Sequence, residues 1–152
     1  MAKMVKVGMA DLNICHSPDA ITTLGLGSCV GVALYDKNTK TAGLVHVMLP
    51  DSTKVRQNQN RAKFADTGID YLIELLEKEG AKKSSLTAKI AGGAQMFAFS
   101  SSNDMLRVGE RNVEAVKDKL KKLGIRVLAE DTGLNYGRTV EFYPETGDFI
   151  IK

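Results

Sequence analysis

Short apolar runs separated by polar residues and glycines make up both ends of the chain. Runs of this length that lie between turn residues are typical of β-strands. In the centre of the chain, apolar residues recur at helical spacing instead. The pattern predicts strands in residues 4–14, 20–24, 30–36, 41–50, 86–92, 125–131, 138–144 and 148–152.

Two central segments have the periodicity of amphipathic helices. The first is expected to end at Gly80 and the second at Gly124, because glycine commonly follows the last helical turn. Strands before, between and after these helices, without regular alternation, predict an α+β domain with a mixed, largely antiparallel sheet and two main helices. One domain is expected to span residues 1–152. The helical faces comprise Ala65, Ile69, Leu72, Ile73 and Leu76, and Val113, Val116, Leu120 and Leu123.

A predicted hairpin brings the first candidate chemistry together. If Lys37 and Asn38 form a two-residue turn, residues whose numbers sum to 75 face each other, so that Cys29 faces His46. Side chains opposed in this way have Cβ atoms roughly 4.5–5.5 Å apart. An imidazole at that distance would accept the thiol proton, which predicts a nucleophilic Cys29 with a pKa below that of an ordinary thiol.

Three glycines within seven residues surround this cysteine. The loop does not fit a phosphate-binding loop, since Val30 stands where a third glycine is required and a strand pattern follows instead of a helix. Small residues before the cysteine would instead let a substrate approach closely. We therefore expect Gly27 and Ser28 to bind substrate through backbone N–H groups that stabilise an oxyanion.

Composition excludes several other classes of protein. The formal net charge is only +3, and the densest lysine cluster, in residues 117–122, is interpreted as the solvated face of a helix. No concentrated basic stripe with stacking aromatics is present, so nucleic acid is not an expected partner. No apolar run reaches membrane-spanning length and the first residues do not resemble a signal peptide, which predicts a cytoplasmic protein without membrane insertion.

A metal site is the remaining alternative for the cysteines. The chain has two cysteines and two histidines, and Cys15 and His16 are adjacent in sequence. Structural zinc sites usually bring ligand pairs separated by two to four residues, which an adjacent pair with Cys29 and His46 does not match. We therefore expect neither a metal nor another cofactor.

Long blocks of the sequence resemble the CheD family, the chemoreceptor glutamine deamidases of bacterial chemotaxis. The resemblance implies that Cys29 and His46 are catalytic and that Thr23, six residues before the cysteine, is the third catalytic residue, which orients the imidazole. Leu134 departs from the family, which commonly has a second glycine there. The blocks are TTLGLGSCVGVALYD, AGLVHVMLPDS, KFADTGI, AKIAGGAQMF, GERNVEAVKDKLKKLGI and, around Leu134, AEDTG and NYGRTVEFYPETG.

The resemblance implies that the α+β domain is a sandwich, and it also implies a reaction and two kinds of partner. The substrate would be glutamine side chains on the cytoplasmic helices of chemoreceptors, hydrolysed to glutamate through a thioester. A CheC-type chemotaxis phosphatase would be a protein partner. A non-catalytic binding module that docks this phosphatase is the alternative, because a docking cleft and an active site would use the same residues.

A second glycine pair is expected beside the site. Gly92 and Gly93 follow a predicted strand and are interpreted as a substrate-binding far wall of the cleft. Met96 and Phe97 come directly afterwards, and two interpretations of them stay open: an exposed patch that docks a protein, or buried side chains of a turn.

Overall fold

The computed structural model describes residues 2–54, 60–95 and 107–152. In these residues nine strands form two sheets, and two helices accompany them. The strands are β1 (Met4–Val7), β2 (Leu12–His16), β3 (Ala20–Leu26), β4 (Val30–Asp36), β5 (Thr41–Val47), β6 (Leu86–Gly92), β7 (Arg126–Thr132), β8 (Arg138–Tyr143) and β9 (Asp148–Ile151), and the helices are α1 (Ala65–Lys78) and α2 (Val108–Lys122).

Both sheets are mixed, as the sequence predicts. The four-stranded sheet has the order β1-β3-β8-β9, in which only the β1–β3 pair is parallel. The five-stranded sheet has the order β2-β5-β4-β6-β7, in which only the β6–β7 pair is parallel. The observed architecture confirms the α+β sandwich. Among the described residues, no helix is long and apolar enough to cross a membrane.

Two apolar layers flank the five-stranded sheet. On one face, Val32 and Val45 pack against α1 and α2 through helix residues such as Leu72 and Val116. On the other face, a second cluster fills the space between the two sheets. This inter-sheet cluster comprises Val7, Cys15, Ile21, Leu26, Cys29, Ala33, Ala42, Leu44, Ala91, Val140 and Phe142. Because strand residues alternate between faces, β4 and β5 contribute to both layers.

The β4–β5 hairpin is present, but its predicted register is wrong. Asp36 pairs with Thr41, so the turn contains the four residues 37–40, and His46 lies opposite Gly31. The Asp36 carboxylate accepts the backbone N–H of Asn38 at 2.9 Å, a local bond that favours the longer turn. The register therefore differs from the prediction by two residues. An even shift leaves every side chain on its predicted face.

Residues 51–61 are polar and unpatterned, which predicts an exposed loop, and this prediction is partly wrong. Ser52 and its neighbours form a short 3-10 turn (Ser52–Lys54), and Ser52 is buried. Its backbone N–H and hydroxyl both donate to the Asp66 carboxylate, at 3.0 and 2.8 Å, which anchors this segment to the first turn of α1. A second 3-10 turn (Arg61–Lys63) leads into the helix. Residues 55–59 lie outside the described part of the chain.

Leu134 adopts the backbone conformation of a glycine. Its φ is 61°, directly after Gly133 with a φ of 79°. This left-handed region costs a side-chain-bearing residue roughly 1–2 kcal/mol. The carbonyl of Leu134 accepts the N–H of Gln95 at 2.8 Å, which ties this loop to the segment after β6. The loop therefore keeps a glycine-type turn although leucine occupies it.

Candidate active site

Thr23 and His46 meet between the two sheets. Thr23 lies on β3 of the four-stranded sheet and His46 lies on β5 of the five-stranded sheet. Each side chain is buried, with 1% of its surface exposed. The Thr23 hydroxyl and His46 Nδ1 are 2.8 Å apart, and the same hydroxyl donates to the carbonyl of Val7 at 2.8 Å.

These two bonds determine the tautomer of the imidazole. The Thr23 hydroxyl has one proton, and the Val7 carbonyl can only accept it. The hydroxyl oxygen must then accept from His46, so the ring proton is on Nδ1 and the lone pair is on Nε2. Nε2 is buried and has no hydrogen-bond partner in the structure. The arrangement gives a fixed imidazole whose free nitrogen can take up a proton.

Cys29 lies next to this imidazole on the same face of the sheet. His46 pairs with Gly31, and Cys29 precedes Gly31 by two residues, just before β4 begins. The two residues are therefore diagonal neighbours, for which a separation of roughly 7–8 Å is typical, and not the directly opposed pair that the sequence predicts. A Cβ at Gly31 would lie 3.1 Å from a methyl carbon of Leu26 and 3.6 Å from the methyl carbon of Thr23, so a larger residue would crowd the inter-sheet space at this position.

Burial sets the charge state of this pair. Burial raises the pKa of the Cys29 thiol and lowers the pKa of the His46 imidazole. Desolvation favours the neutral form of each group, which is the thiol for Cys29 and the uncharged imidazole for His46. The direction for Cys29 is opposite to the sequence-based expectation of a lowered pKa. Burial therefore favours an uncharged thiol at Cys29 and an uncharged imidazole at His46.

The backbone of the cysteine loop is held by its neighbours. Gly93 N–H donates to the carbonyl of Cys29 and Ala94 N–H donates to that of Gly27, both at 2.8 Å. A Cβ on Gly92, which has a φ of 110°, would lie 2.2 Å from the Cys29 carbonyl oxygen. Only glycine allows so close an approach. Gly92 and Gly93 thus support the nucleophile's backbone, and their predicted contact with substrate stays a prediction.

Asn112 is a site residue that the sequence reasoning missed. It lies on α2, is fully buried, and its Nδ2 donates to the carbonyls of Ser28 and Met48, each at 2.9 Å. These carbonyls belong to the loop before Cys29 and to the segment that follows the strand of His46. The predicted patch of Met96 and Phe97 lies outside the described residues.

The second cysteine and histidine are not part of this site. Cys15 is buried, its Sγ lies 3.9 Å from the carbonyl of Asp19, and burial raises its pKa to about 12. His16 contacts Thr41 and Glu79 through its two ring nitrogens, at 3.1 and 3.0 Å. Within residues 2–54, 60–95 and 107–152, no cluster of three or more histidine, cysteine or acidic side chains is arranged to hold a metal.

Removing the threonine hydroxyl tests the tautomer argument. In Thr23→Val, the Nδ1 proton loses its acceptor, so the imidazole no longer presents the Nε2 lone pair in a fixed orientation. We expect kcat for the reaction at this site to fall about 10- to 100-fold, less than the loss of the base itself. Thr22→Val is the matched control, because Thr22 is also buried but donates to the Val140 carbonyl. An equal loss of kcat in both variants would contradict the assignment.

The two free cysteines provide a second test. We expect iodoacetamide to alkylate Cys29 at least about tenfold faster than Cys15 at pH 7, because Cys29 is diagonal to His46 in the register, whereas burial raises the pKa of Cys15 to about 12. Peptide mass mapping measures both rates in one sample. His46→Ala should remove the difference. Faster labelling of Cys15, or an unchanged Cys29 rate in His46→Ala, would show that the two side chains do not interact.

Together, the fold and the site define an α+β sandwich that gathers a cysteine, a histidine and a threonine between its sheets. This is the set of groups that thiol-dependent hydrolases use: a nucleophile, a base and a residue that orients the base. Comparison with known proteins gives the family. The family described as "CheD chemotactic sensory transduction" matches residues 48–152, a range that begins after Thr23, Cys29 and His46.

Similar proteins cover the whole chain, including these three residues. A probable chemoreceptor glutamine deamidase CheD of Lachnoclostridium phytofermentans is 69% identical over 152 residues, which is 100% of this chain and 94% of the relative. The chemoreceptor glutamine deamidase CheD of Halalkalibacterium halodurans is 60% identical with the same coverage of both chains. That of Bacillus subtilis is 52% identical over 95% of this chain and 88% of the relative. The chain belongs to the CheD family.

Proposed function

We propose that this protein hydrolyses glutamine side chains of chemoreceptors to glutamate, with Cys29 as nucleophile and His46 as general base. The relatives that cover the whole chain carry the name chemoreceptor glutamine deamidase. The observation that carries the mechanism is the buried Nε2 of His46, which has no hydrogen-bond partner among the described residues, on a ring held by Thr23 and diagonal to Cys29 in the register. The reaction would take place in the cytoplasm, on the helical part of the receptor.

The first half of the reaction forms a thioester. The Cys29 sulfur attacks the side-chain carboxamide carbon of the glutamine while the thiol proton moves to His46 Nε2. The carboxamide oxygen becomes an oxyanion, for which the backbone N–H groups of Ser28 and Cys29 are the candidate donors. The Gly27 N–H, which the sequence also predicts as a donor, instead donates to the Gly25 carbonyl at 3.0 Å. The C–N bond then breaks, and the protonated imidazole gives its proton to the nitrogen, so that ammonia leaves and His46 is neutral again.

The second half of the reaction consumes water. Neutral His46 takes a proton from a water molecule as the water oxygen attacks the thioester carbon. The C–S bond breaks, the sulfur recovers the proton from the imidazole, and glutamate is released. The net change is glutamine plus water to glutamate plus ammonia. The neutral resting pair suits this sequence, since both the thiol and the imidazole begin and end uncharged.

Exposed apolar side chains next to the site support a macromolecular substrate. Leu24, directly after Thr23, is 64% exposed, and Leu134, whose carbonyl holds Gln95, is 66% exposed. Large apolar side chains in contact with water commonly mark surfaces that bind another protein. A receptor helix laid across these residues would bring a glutamine to the cysteine loop.

The partner predicted from the family resemblance, a CheC-type phosphatase, stays a prediction. So does the alternative of a non-catalytic module that docks it. A docking module does not require an imidazole with a fixed tautomer and an unpartnered Nε2, and this feature favours catalysis.

Mass spectrometry tests the proposed reaction directly. The protein is incubated with the cytoplasmic fragment of a chemoreceptor from the same organism, and peptides are searched for the mass gain that converts glutamine to glutamate. We expect the gain at specific glutamines, with release of an equal amount of ammonia. No conversion above that of the fragment alone would contradict the proposal.

A further inference from the structure

Asn112 places one polar atom, its Oδ1, in the interior without a hydrogen-bond partner among the described residues. Its Nδ2 makes two hydrogen bonds, but its Oδ1 is buried without a partner. An apolar side chain of similar size at a fully buried helix position would avoid that unsatisfied oxygen. The same replacement would leave the carbonyls of Ser28 and Met48 without this donor. The two carbonyls that Asn112 contacts therefore indicate why an asparagine is present at this position.

Asn112 completes a row of three held carbonyls in the cysteine loop. The carbonyls of Gly27 and Cys29 accept backbone N–H groups of Ala94 and Gly93, as described above. The carbonyl of Ser28, between them, accepts the Asn112 side chain. Ser28 is thus the one position of the three whose carbonyl depends on a side chain, which a substitution can remove.

The bond to Ser28 also fixes the direction of an N–H group. A trans peptide is planar, and its C=O and N–H bonds point in opposite directions. Since Asn112 holds the Ser28 carbonyl toward α2, the N–H of Cys29 points away from the helix. In the described residues, the N–H groups of Ser28 and Cys29 donate to no partner. A free, oriented N–H beside the nucleophile is the donor that an oxyanion requires.

We propose that Asn112 is a positioning residue that sets the oxyanion-binding geometry of Cys29 by holding the Ser28–Cys29 peptide plane. The inference rests on the proposed deamidase function. Asn112 does not touch the substrate, and it acts through the backbone. Because the oxyanion exists only after attack, loss of this support lowers kcat and leaves the binding of the receptor helix unchanged.

His46 does not depend on Asn112 for its place. Its backbone N–H donates to the carbonyl of Asp11 at 3.0 Å, its strand is paired on both sides, and its ring is held by Thr23. The proton acceptor for the Cys29 thiol is therefore present without Asn112. Alkylation of Cys29 by iodoacetamide, which forms no oxyanion, should proceed at nearly the normal rate.

Two variants of Asn112 test the proposal. Asn112→Leu removes both donors, and Asn112→Asp keeps the shape of the side chain but replaces the donating NH2 group by oxygen. With a receptor cytoplasmic fragment as substrate, we expect either variant to lower kcat by about 100-fold, the loss typical of one oxyanion donor. KM should stay within about twofold, and the rate of Cys29 alkylation within about threefold.

Val116→Ala is the matched control, because Val116 lies one helical turn later on α2 and is equally buried. It should lower the melting temperature and keep kcat. The proposal would be overturned if kcat is unchanged in a folded Asn112 variant, or if kcat falls, KM rises and Cys29 alkylation slows in parallel. Failure of both variants to fold would also overturn it. Activity that survives Cys29→Ala would instead overturn the proposed function itself, so the two failures are distinct.

Discussion

Replacing Cys29 by alanine is expected to lower deamidation of a receptor fragment by at least about 10³-fold, because no other group can form the thioester. The substitution removes only the sulfur atom from a side chain that is 8% exposed, so the fold should persist. The measurement is the rate at which glutamine peptides gain the mass of glutamate. Circular dichroism and the melting temperature establish that the variant is folded.

Cys15→Ala is the matched control for this variant. Cys15 is the second of the two cysteines, is also buried, and belongs to the same inter-sheet cluster. It should keep full activity, since its sulfur donates to the Asp19 carbonyl and the residue pairs with Ala42, four residues before His46 on β5. Deamidation that persists in Cys29→Ala, or that disappears equally in Cys15→Ala, would contradict a Cys29 nucleophile. Trapping a thioester between Cys29 and the receptor in the wild type would add direct support.

The sequence predicts which face of the sheet each side chain occupies better than it predicts which residues pair across neighbouring strands. The turn at residues 37–40 is longer than the predicted two residues because Asp36 organises a local bond to Asn38. The resulting shift in register is an even number of residues, so Cys29 and His46 remain on the same face of the sheet although the predicted pairing is wrong. A shift of one residue would have separated them. Alternation along a strand is a local property, whereas register depends on turn geometry.

The charge state of the pair could not be predicted from the sequence. A thiol and an imidazole in contact can form an ion pair, which lowers the thiol pKa. Whether they do depends on how far each is removed from water, and that depends on a second sheet packing over them. With both groups buried, desolvation moves each pKa toward the neutral form.

The sequence contains only a weak signal that Asn112 is a buried polar residue. It precedes Val116 by four residues and Leu120 by eight, so helical spacing places it on the buried face of α2. A polar residue on such a face indicates a buried hydrogen bond. Its partners are 84 and 64 residues away, at Ser28 and Met48, and only the folded structure identifies them. Thr23 is predicted from the family resemblance and not from its spacing, because its hydrogen bond to His46 joins β3 of one sheet to β5 of the other.

His46→Ala should lower kcat by about 10²- to 10⁴-fold, the usual contribution of a general base. His16→Ala is the matched control, because His16 is the other of the two histidines and binds Glu79 at the surface. It should leave the deamidation rate unchanged. A small loss in His46→Ala, or an equal loss in both variants, would contradict the assignment of Nε2 as the base.

The pH profile of the wild type tests the same assignment by an independent route. Burial lowers the pKa of His46, so the imidazole stays neutral and able to accept a proton below its ordinary value of about 6.5. Activity is then fully present above that value and is lost only as the pH falls through the lowered pKa. We expect the acid limb of kcat/KM against pH to lie below about 6.5 and to disappear in His46→Ala. An acid limb above pH 7 would contradict a His46 pKa below its ordinary value, and with it the buried neutral imidazole.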